Sequence, residues 1–477
     1  MLFNSLTFLL FFAWVVAVHY SSLRWSLKKG HLLLASYAFY AAWNPPFVLL
    51  LWLSTLVDWQ VAKQMDQQTV QKKRKHWLWL SLSINLGMLV VFKYADFLLA
   101  NFQMLLTLLG LNMTFADPGL ILPMGISFFT FQTLSYTLDV YYKRLKPWHG
   151  FWDYALFVSF FPQLVAGPIV RAKSFLPQLL KQTRVDINQF SIGLSFFIIG
   201  LFQKMVMADS FFAPIVNQVF SQHETIDTTS SWLGSLFFSA QIFCDFSGYS
   251  LCAIGLAMCL GFVLPINFRS PFAAMGFSDF WRRWHISLSS WLRDYLYIPL
   301  GGNRNGQFKR YRNLLLTMLL GGLWHGAAWT FVIWGALHGS YLVLEQLIKQ
   351  SRLAKRFKPN AVIKLILAVL TFLAVVLAFV VFRSENLSQA GHIIAAMFGI
   401  SGSSNVTTYA VKQDAWLLLV VVAFVLMMAS QWFMRNKSLS EVIAHSHAVV
   451  RALFIAAALL FIMLSTGNSN AFIYFQF

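Results

Sequence analysis

Charge is what this sequence lacks. Only 11% of its 477 residues are charged, against roughly a quarter in an average soluble domain. Acid is scarcest, with 17 Asp and Glu against 36 Lys and Arg. Apolar runs of about 18 residues or more, the length that crosses a hydrocarbon core, recur from end to end, and no soluble domain of useful size fits between them. The chain therefore reads as all-α and polytopic. Cysteine is nearly absent: Cys244, Cys252 and Cys259 lie in one apolar helix with about 10 to 12 Å of rise between neighbours, too far for a disulfide. They read as small apolar fillers. The first apolar run, MLFNSLTFLLFFAWVVAVHY, has no basic segment before it and no A-x-A-like site after it, which points to a retained span rather than a cleaved signal. Internal repeats, low-complexity tracts and linkers are also missing, so one membrane domain over 1–477 is expected.

The formal charge of +19 would suggest a nucleic-acid partner in a soluble protein. Here the charge sits in short clusters at Arg24 to Lys29, Lys72 to Lys75, Lys143 to Lys146, Arg282 to Arg283, Arg304 to Arg312, Lys349 to Lys358 and Arg435 to Lys437. Basic loops stay cytoplasmic, so the pattern reports topology and nucleic acid is excluded. Residues 209–230, with Asp209, Glu224 and Asp227, and 384–411, with Glu385, carry no Lys or Arg beyond the preceding spans and read as periplasmic or extracellular. Spans fall near 3–20, 31–44 and 46–62 (split by Asn44-Pro45-Pro46), 77–99, 119–142, 188–208, 231–262, 361–382, 414–434 and 449–466. With broken or re-entrant segments the total is about 10 to 12 membrane helices.

Two stretches resist simple crossings. Residues 154–170, YALFVSFFPQLVAGPIV, have basic flanks on both sides and are broken by Pro162, Gly167 and Pro168, which suggests a segment that enters and returns. Residues 313–348 also lie between basic flanks, too long for one span and barely enough for two. A hairpin bent near Gly321-Gly322 or Gly326 satisfies both limits and places His325 deep in the protein.

A titratable side chain in a bilayer is costly unless paired or wetted, so it is a functional candidate by default. His325 is the strongest, because neutral imidazole accepts a proton from a hydroxyl near pH 7; the alternative is a packed histidine bonded to backbone. His338 follows thirteen residues later, about 220° around a continuous helix, and reads as structural. No metal-ligand spacing surrounds either histidine, so no metal site is expected. Upstream, SDFWRRWHISLSSWLRDYLYIPLGGNRNG (278–306) reads as an interfacial helix capped by Ser278 and ended by Pro299, with His285 either a second reacting group or a solvated interfacial residue. Arg304, Lys309, Arg310 and Arg312 suit the phosphates of a cytosolic donor or simple anchoring to the cytoplasmic face. Asp245, the only acid in its span, orients a histidine, binds substrate or pairs with an arginine.

Several long motifs resemble the membrane-bound O-acyltransferase family, within it the bacterial branch of the alginate O-acetyltransferase membrane subunit. They are ILPMGISFFTFQTLSYTLDVYY (121–142), FVSFFPQLVAGPIVR (157–171), FCDFSGYSLCAIGLA (243–257), PINFRSPF (265–272), DFWRRWHISLSSWLRDYLYIPLGGNR (279–304), LLGGLWHGAAWTFVIWGALHG (319–339) and the terminal FIYFQF (472–477). The motif-bearing core spans about 120–340. The resemblance implies helices ringed around a funnel or tunnel, with His325 catalytic and His285 the second active-site histidine. Asp245, Arg282, Arg283, Trp324, Asn303 and Arg304 are the candidate substrate-binding residues. One departure is Leu251-Cys252-Ala253, where that branch commonly has an aspartate-methionine pair.

The implied reaction moves an acyl group, expected to be acetyl from cytosolic acetyl-CoA, across the bacterial cytoplasmic membrane to an exported or cell-wall polysaccharide, directly or through a periplasmic esterase-like transferase. No tightly bound cofactor is expected. Other readings are an acyltransferase fed by a carrier-protein thioester, as in D-alanyl transfer, a polysaccharide or proton-coupled transporter, and a non-catalytic scaffold.

Overall fold

The computed structural model describes residues 1–116, 118–221, 226–304, 306–351, 360–400 and 415–465. Glu224, most of the Lys349 to Lys358 cluster, positions 401–411 of the acidic loop and the terminal FIYFQF lie outside the described residues. Every regular element among the described residues is helical. Seven helices there are long and apolar enough to cross a membrane, so the protein is a multi-pass membrane protein. Its contacts divide into two compact units, residues 1–194 with 253–265, and residues 195–252 with 266–477.

The first unit begins with α1 (Leu6–His19), α2 (Trp25–Ala41) and α3 (Val48–Gln67). The break between α2 and α3 falls where Asn44-Pro45-Pro46 predicts it, because proline lacks an N–H and sterically bars the preceding residue from helix. The next span starts earlier than its apolar run. Helix α4 covers Gln71–Leu108 with a π-helical turn at Val90–Tyr94, so KKRK is its first turn and not a loop. Within it Arg74 is buried and donates to the carbonyls of Met65, Val140 and Tyr141 at 2.8, 2.9 and 3.1 Å. One guanidinium thus bonds the C-terminal carbonyls of two other helices, α3 and α5 (Ile126–Tyr141), where Met65 and Val140 also accept from the backbone N–H groups of Gln68 and Lys143.

Helix α5 starts seven residues later than expected and is buried on nearly every face. Its Thr133 joins Ser54, Asn85 and Asp58 in a polar network, where Asn85 Nδ2 lies 2.9 Å from the Asp58 carboxylate. Residues 151–170 are broken as expected: α6 (Phe151–Ser159) stops before a single turn at Phe161–Leu164 that carries Pro162 near its start.

Helix α7 covers Ile187–Phe220 and α8 Thr228–Cys259. The acidic stretch from Asp209 was expected to be an extramembrane loop. It instead continues α7 through a π-helical segment, Phe202–Phe212, because Asp209 is buried against Lys204 rather than solvated. All three cysteines are buried and free, and Cys252 Sγ would lie 2.7 Å from a Cβ at Gly200. They are the fillers the sequence implies.

In the second unit the expected interfacial helix over 279–298 is two short ones, α9 (Phe277–Trp281) and α10 (Ile286–Leu292), separated at His285. The cap of α9 is Gly276, not Ser278. Helices α11 (Gln307–His325) and α12 (Trp329–Gln350) form the expected hairpin, each unbroken, with the bend at Gly326 to Ala328. Gly322 is the contact that lets them close: a Cβ there would lie 2.2 Å from the Phe331 carbonyl oxygen and 3.1 Å from Gly335 Cα. The chain ends with α13 (Ala361–Arg383), α14 (Leu387–Met397), α15 (Ala415–Phe433), α16 (Leu439–His445) and α17 (Ala448–Leu464).

Gly322→Val is expected to force the hairpin apart and destabilise the protein by roughly 1 to 3 kcal/mol, read as a lower Tm in detergent. Gly391→Ala, in α14 with open space around it, is the control and should leave Tm within a degree or two of wild type. Equal Tm values for the two variants would contradict the close-packed hairpin.

Candidate active site

His325 is the last residue of α11 and is 3% exposed. The helix ends there because Gly326 turns the chain into an extended conformation, and a side chain at 326 would strike the Phe331 ring, 2.0 Å from the Cβ position. Around the imidazole stand Trp324 and Trp334, both with ring centroids at 5.0 Å, and Phe382 of α13 at 5.6 Å. The bend therefore presents a polar ring to an aromatic enclosure.

His285 is fully buried between α9 and α10 with φ 43° and ψ 54°. This left-handed backbone costs an ordinary residue about 1 to 2 kcal/mol, and two backbone bonds flanking it hold the turn. Arg269 N–H donates to the Arg283 carbonyl and Ile286 N–H to the Asn267 carbonyl, each at 2.9 Å. Of the two readings of His285, the solvated interfacial one does not hold: the kink between α9 and α10 turns the ring inward. Its centroid lies 6.3 Å from that of His325, 6.1 Å from Trp324 and 4.6 Å, edge-on, from Phe246. Its Nδ1 is 3.1 Å from Asn267 Oδ1. Burial pushes the imidazole down to about 3, so at pH 7 it is neutral, with one N–H and one lone pair.

The structure brings His285, Trp324 and His325 together, and it ties Asp245 and Arg283 into ion pairs. Asp245 Oδ1 pairs with Lys204 Nζ at 2.5 Å, and the same ammonium holds Asp209 at 2.8 Å. Pairing with an arginine was one of three roles open to Asp245; the cation it meets is a lysine from α7. Arg283 joins Asp279 at 2.9 Å and donates to the carbonyls of Arg269 and Arg435. Burial alone would raise the Asp279 carboxyl, but the Met275 N–H and the guanidinium groups of Arg283 and Arg435 hold it below its usual value. Arg283 is thus part of the frame around the kink. Arg282 is exposed and bonds back to the Ser278 carbonyl. Asn303 and Arg304 are exposed before the start of α11, and His325 ends that helix, about 28 Å away along its axis.

His338 does not share a continuous helix with His325, because the bend intervenes. Trp334 stands between the two rings, at 5.0 Å from one and 4.7 Å from the other. Among the described residues neither nitrogen of His338 has a hydrogen-bond partner, and Trp281 and Phe280 close around it. It is packing behind the site. A cavity of about 220 Å³ opens beside this wall, lined by Ser278, Trp281, Arg293, Tyr297, Arg310 and Gln346 among others. Leu292, Leu314, Met318 and Leu342 make most of its wall apolar, and Arg293 and Arg310 add two guanidinium groups.

The fold and site define a polytopic helical membrane protein with two imidazoles buried side by side, suited to moving a proton where water is excluded. Residues 32–388 match the membrane-bound O-acyltransferase family, and the chain belongs to it. It is 37% identical, over 94% of each chain, to a protein of Azotobacter vinelandii described as a probable alginate O-acetylase AlgI. It is 40% identical to the peptidoglycan O-acetyltransferase of Helicobacter pylori over 79% of this chain and 75% of that one. The teichoic acid D-alanyltransferase of Streptococcus thermophilus is 29% identical over 54% of this chain and 68% of its own.

Sequence reasoning missed Lys204 and Asn267. Lys204 was detectable as the one cation in the apolar run 188–208, a position that demands an acidic partner. Asn267 gave no signal beyond its place in PINFRSPF. Lys204→Met is expected to destabilise by roughly 3 to 5 kcal/mol, since it strips the cation from buried carboxylates. Adding Asp245→Asn should recover part of that loss. Measured Tm values for the double-mutant cycle that are strictly additive would contradict the pairing.

Proposed function

We propose that this protein transfers acetyl from cytosolic acetyl-CoA to a hydroxyl presented from the far side of the bacterial cytoplasmic membrane, for O-acetylation of an exported or cell-wall polysaccharide. The observation that carries the reading is the buried pair His285 and His325, 6.3 Å between ring centroids, in a chain of an O-acyltransferase family. The long matches to proteins named as an alginate O-acetylase and a peptidoglycan O-acetyltransferase support acetyl over D-alanyl and a polysaccharide as the final acceptor. The first acceptor is the sugar itself or a serine of a periplasmic esterase-like partner. The positive-inside pattern of the basic clusters supports a donor on the cytoplasmic side.

His325 acts as general base. It takes the proton of the acceptor hydroxyl, the oxygen attacks the thioester carbonyl, the C–S bond breaks, and the departing thiolate recovers a proton. His285 stands beside it as the second histidine, and the Trp324 ring helps keep water out. The donor enters through the cavity beside Trp281, where Arg293 and Arg310 suit its phosphates. Arg282, Asn303 and Arg304 serve the same anionic end from the exposed surface. Acetyl-CoA is a substrate in this reading, with no resident cofactor. Asp245 and Arg283 contribute through the ion pairs that shape the site.

The test places purified protein in liposomes with labelled acetyl-CoA on the cytoplasmic side. His325→Ala is expected to lower thioester turnover and acetyl delivery by about 10²- to 10⁴-fold, the usual weight of general-base catalysis, with the variant correctly folded. Unchanged turnover in His325→Ala would remove that residue from the mechanism. Turnover with an acyl-carrier thioester but none with acetyl-CoA would replace the donor.

A further inference from the structure

We infer that Asn267 is a positioning residue that fixes the tautomer of His285, so that this imidazole offers Nε2 as its proton-accepting nitrogen. The inference rests on the reading of His285 and His325 as the reacting pair. It follows from a chain of donors and acceptors that leaves one arrangement.

The orientation of the Asn267 amide is set by its neighbours. Ser287 N–H, which can only donate, lies 3.3 Å from one amide atom, and Ser287 Oγ lies 2.9 Å from the same atom. That atom is therefore the oxygen. The amide nitrogen then donates to Ser250 Oγ of α8 at 3.2 Å. Oδ1 has no proton to give, so the His285 nitrogen 3.1 Å away must be the donor, and Nδ1 carries the hydrogen. A neutral imidazole has one N–H, which leaves the lone pair on Nε2.

The arrangement is protected from exchange with water. Asn267, Ser250 and Ser287 are 1%, 2% and 4% exposed, and buried hydrogen bonds without a competing solvent are costly to lose. The Phe246 ring, edge-on at 4.6 Å, restricts rotation of the imidazole. A flipped ring would set a C–H against Oδ1. The main chain of Asn267 contributes separately, because its carbonyl accepts from Ile286 N–H and anchors the left-handed turn at His285. One residue thus holds the backbone that buries the histidine and the side chain that decides which nitrogen is basic. Partners of this kind fix the tautomer of metal-bound histidines, where their loss costs about 10- to 100-fold in activity or affinity, and the same orienting role applies to a reacting imidazole.

The experiment uses the full-length protein in nanodiscs with ¹⁵N-labelled histidine, the His285 signals being assigned by their loss in His285→Ala. In wild type, Nδ1 is expected at a pyrrole-type shift and Nε2 at a pyridine-type shift. Asn267→Leu should move His285 to the Nε2–H form or a mixture, and lower kcat for acetyl transfer roughly 10- to 100-fold with KM for the donor unchanged. Asn267→Asp keeps an acceptor oxygen, so it should retain the Nδ1–H form and most of the activity. A wild-type His285 protonated at Nε2 would overturn the inference, as would an unchanged tautomer in Asn267→Leu. Should the leucine variant not fold, the wild-type and Asn267→Asp spectra decide alone. Full activity in His285→Ala would instead overturn the reading of the pair, whatever the tautomer.

Discussion

The close approach of α11 and α12 at Gly322 is the contact on which the site depends. A carbonyl oxygen of one helix sits where the other would carry a Cβ, so the two can run side by side only with glycine there. Their closure fixes the bend at Gly326 to Ala328, and the bend fixes His325 at the end of a helix rather than along its side. A histidine in mid-helix would look outward across one face. At the bend it faces Trp334 of the returning helix and Phe382 of α13 together.

The same shortage of water that makes the interior suitable for chemistry makes its polar groups expensive, and the structure answers with paired groups. Arg74 donates to three helix-terminal carbonyls. Lys204 lies between two carboxylates in a π-helical stretch. Asn267 uses its carbonyl, its amide oxygen and its amide nitrogen, each with a partner. Arg74 and Lys204 lie in helices and Asn267 in the segment between α8 and α9, and two of the three lie in positions where a sequence reading sees only basic anchoring or a motif.

The two histidines differ in how they are held. His325 is placed by helix termination, a local event with a glycine signature. His285 is placed by a strained turn that carries neither glycine nor proline, and its energy is met by backbone bonds to residues 267 and 269. A periodicity argument over 278–298 therefore runs one helix straight through it. The kink, the burial and the neutral charge state of His285 all come from that turn.

The membrane class, most of the span positions, the break at Asn44-Pro45-Pro46, the hairpin and the depth of His325 were legible from the chain alone, because hydropathy, proline and glycine act on their own neighbours. The continuation of α7 past Asp209, the burial of Arg74, the partner of Asp245 and the inward turn of His285 were decided only by tertiary structure. Each depends on a group far along the chain: Asp245 for Lys204, Met65 and Val140 for Arg74, Asn267 for His285. Local patterns report the cost of burying a charge or a strained turn, and only the folded chain brings in the partner that offsets it.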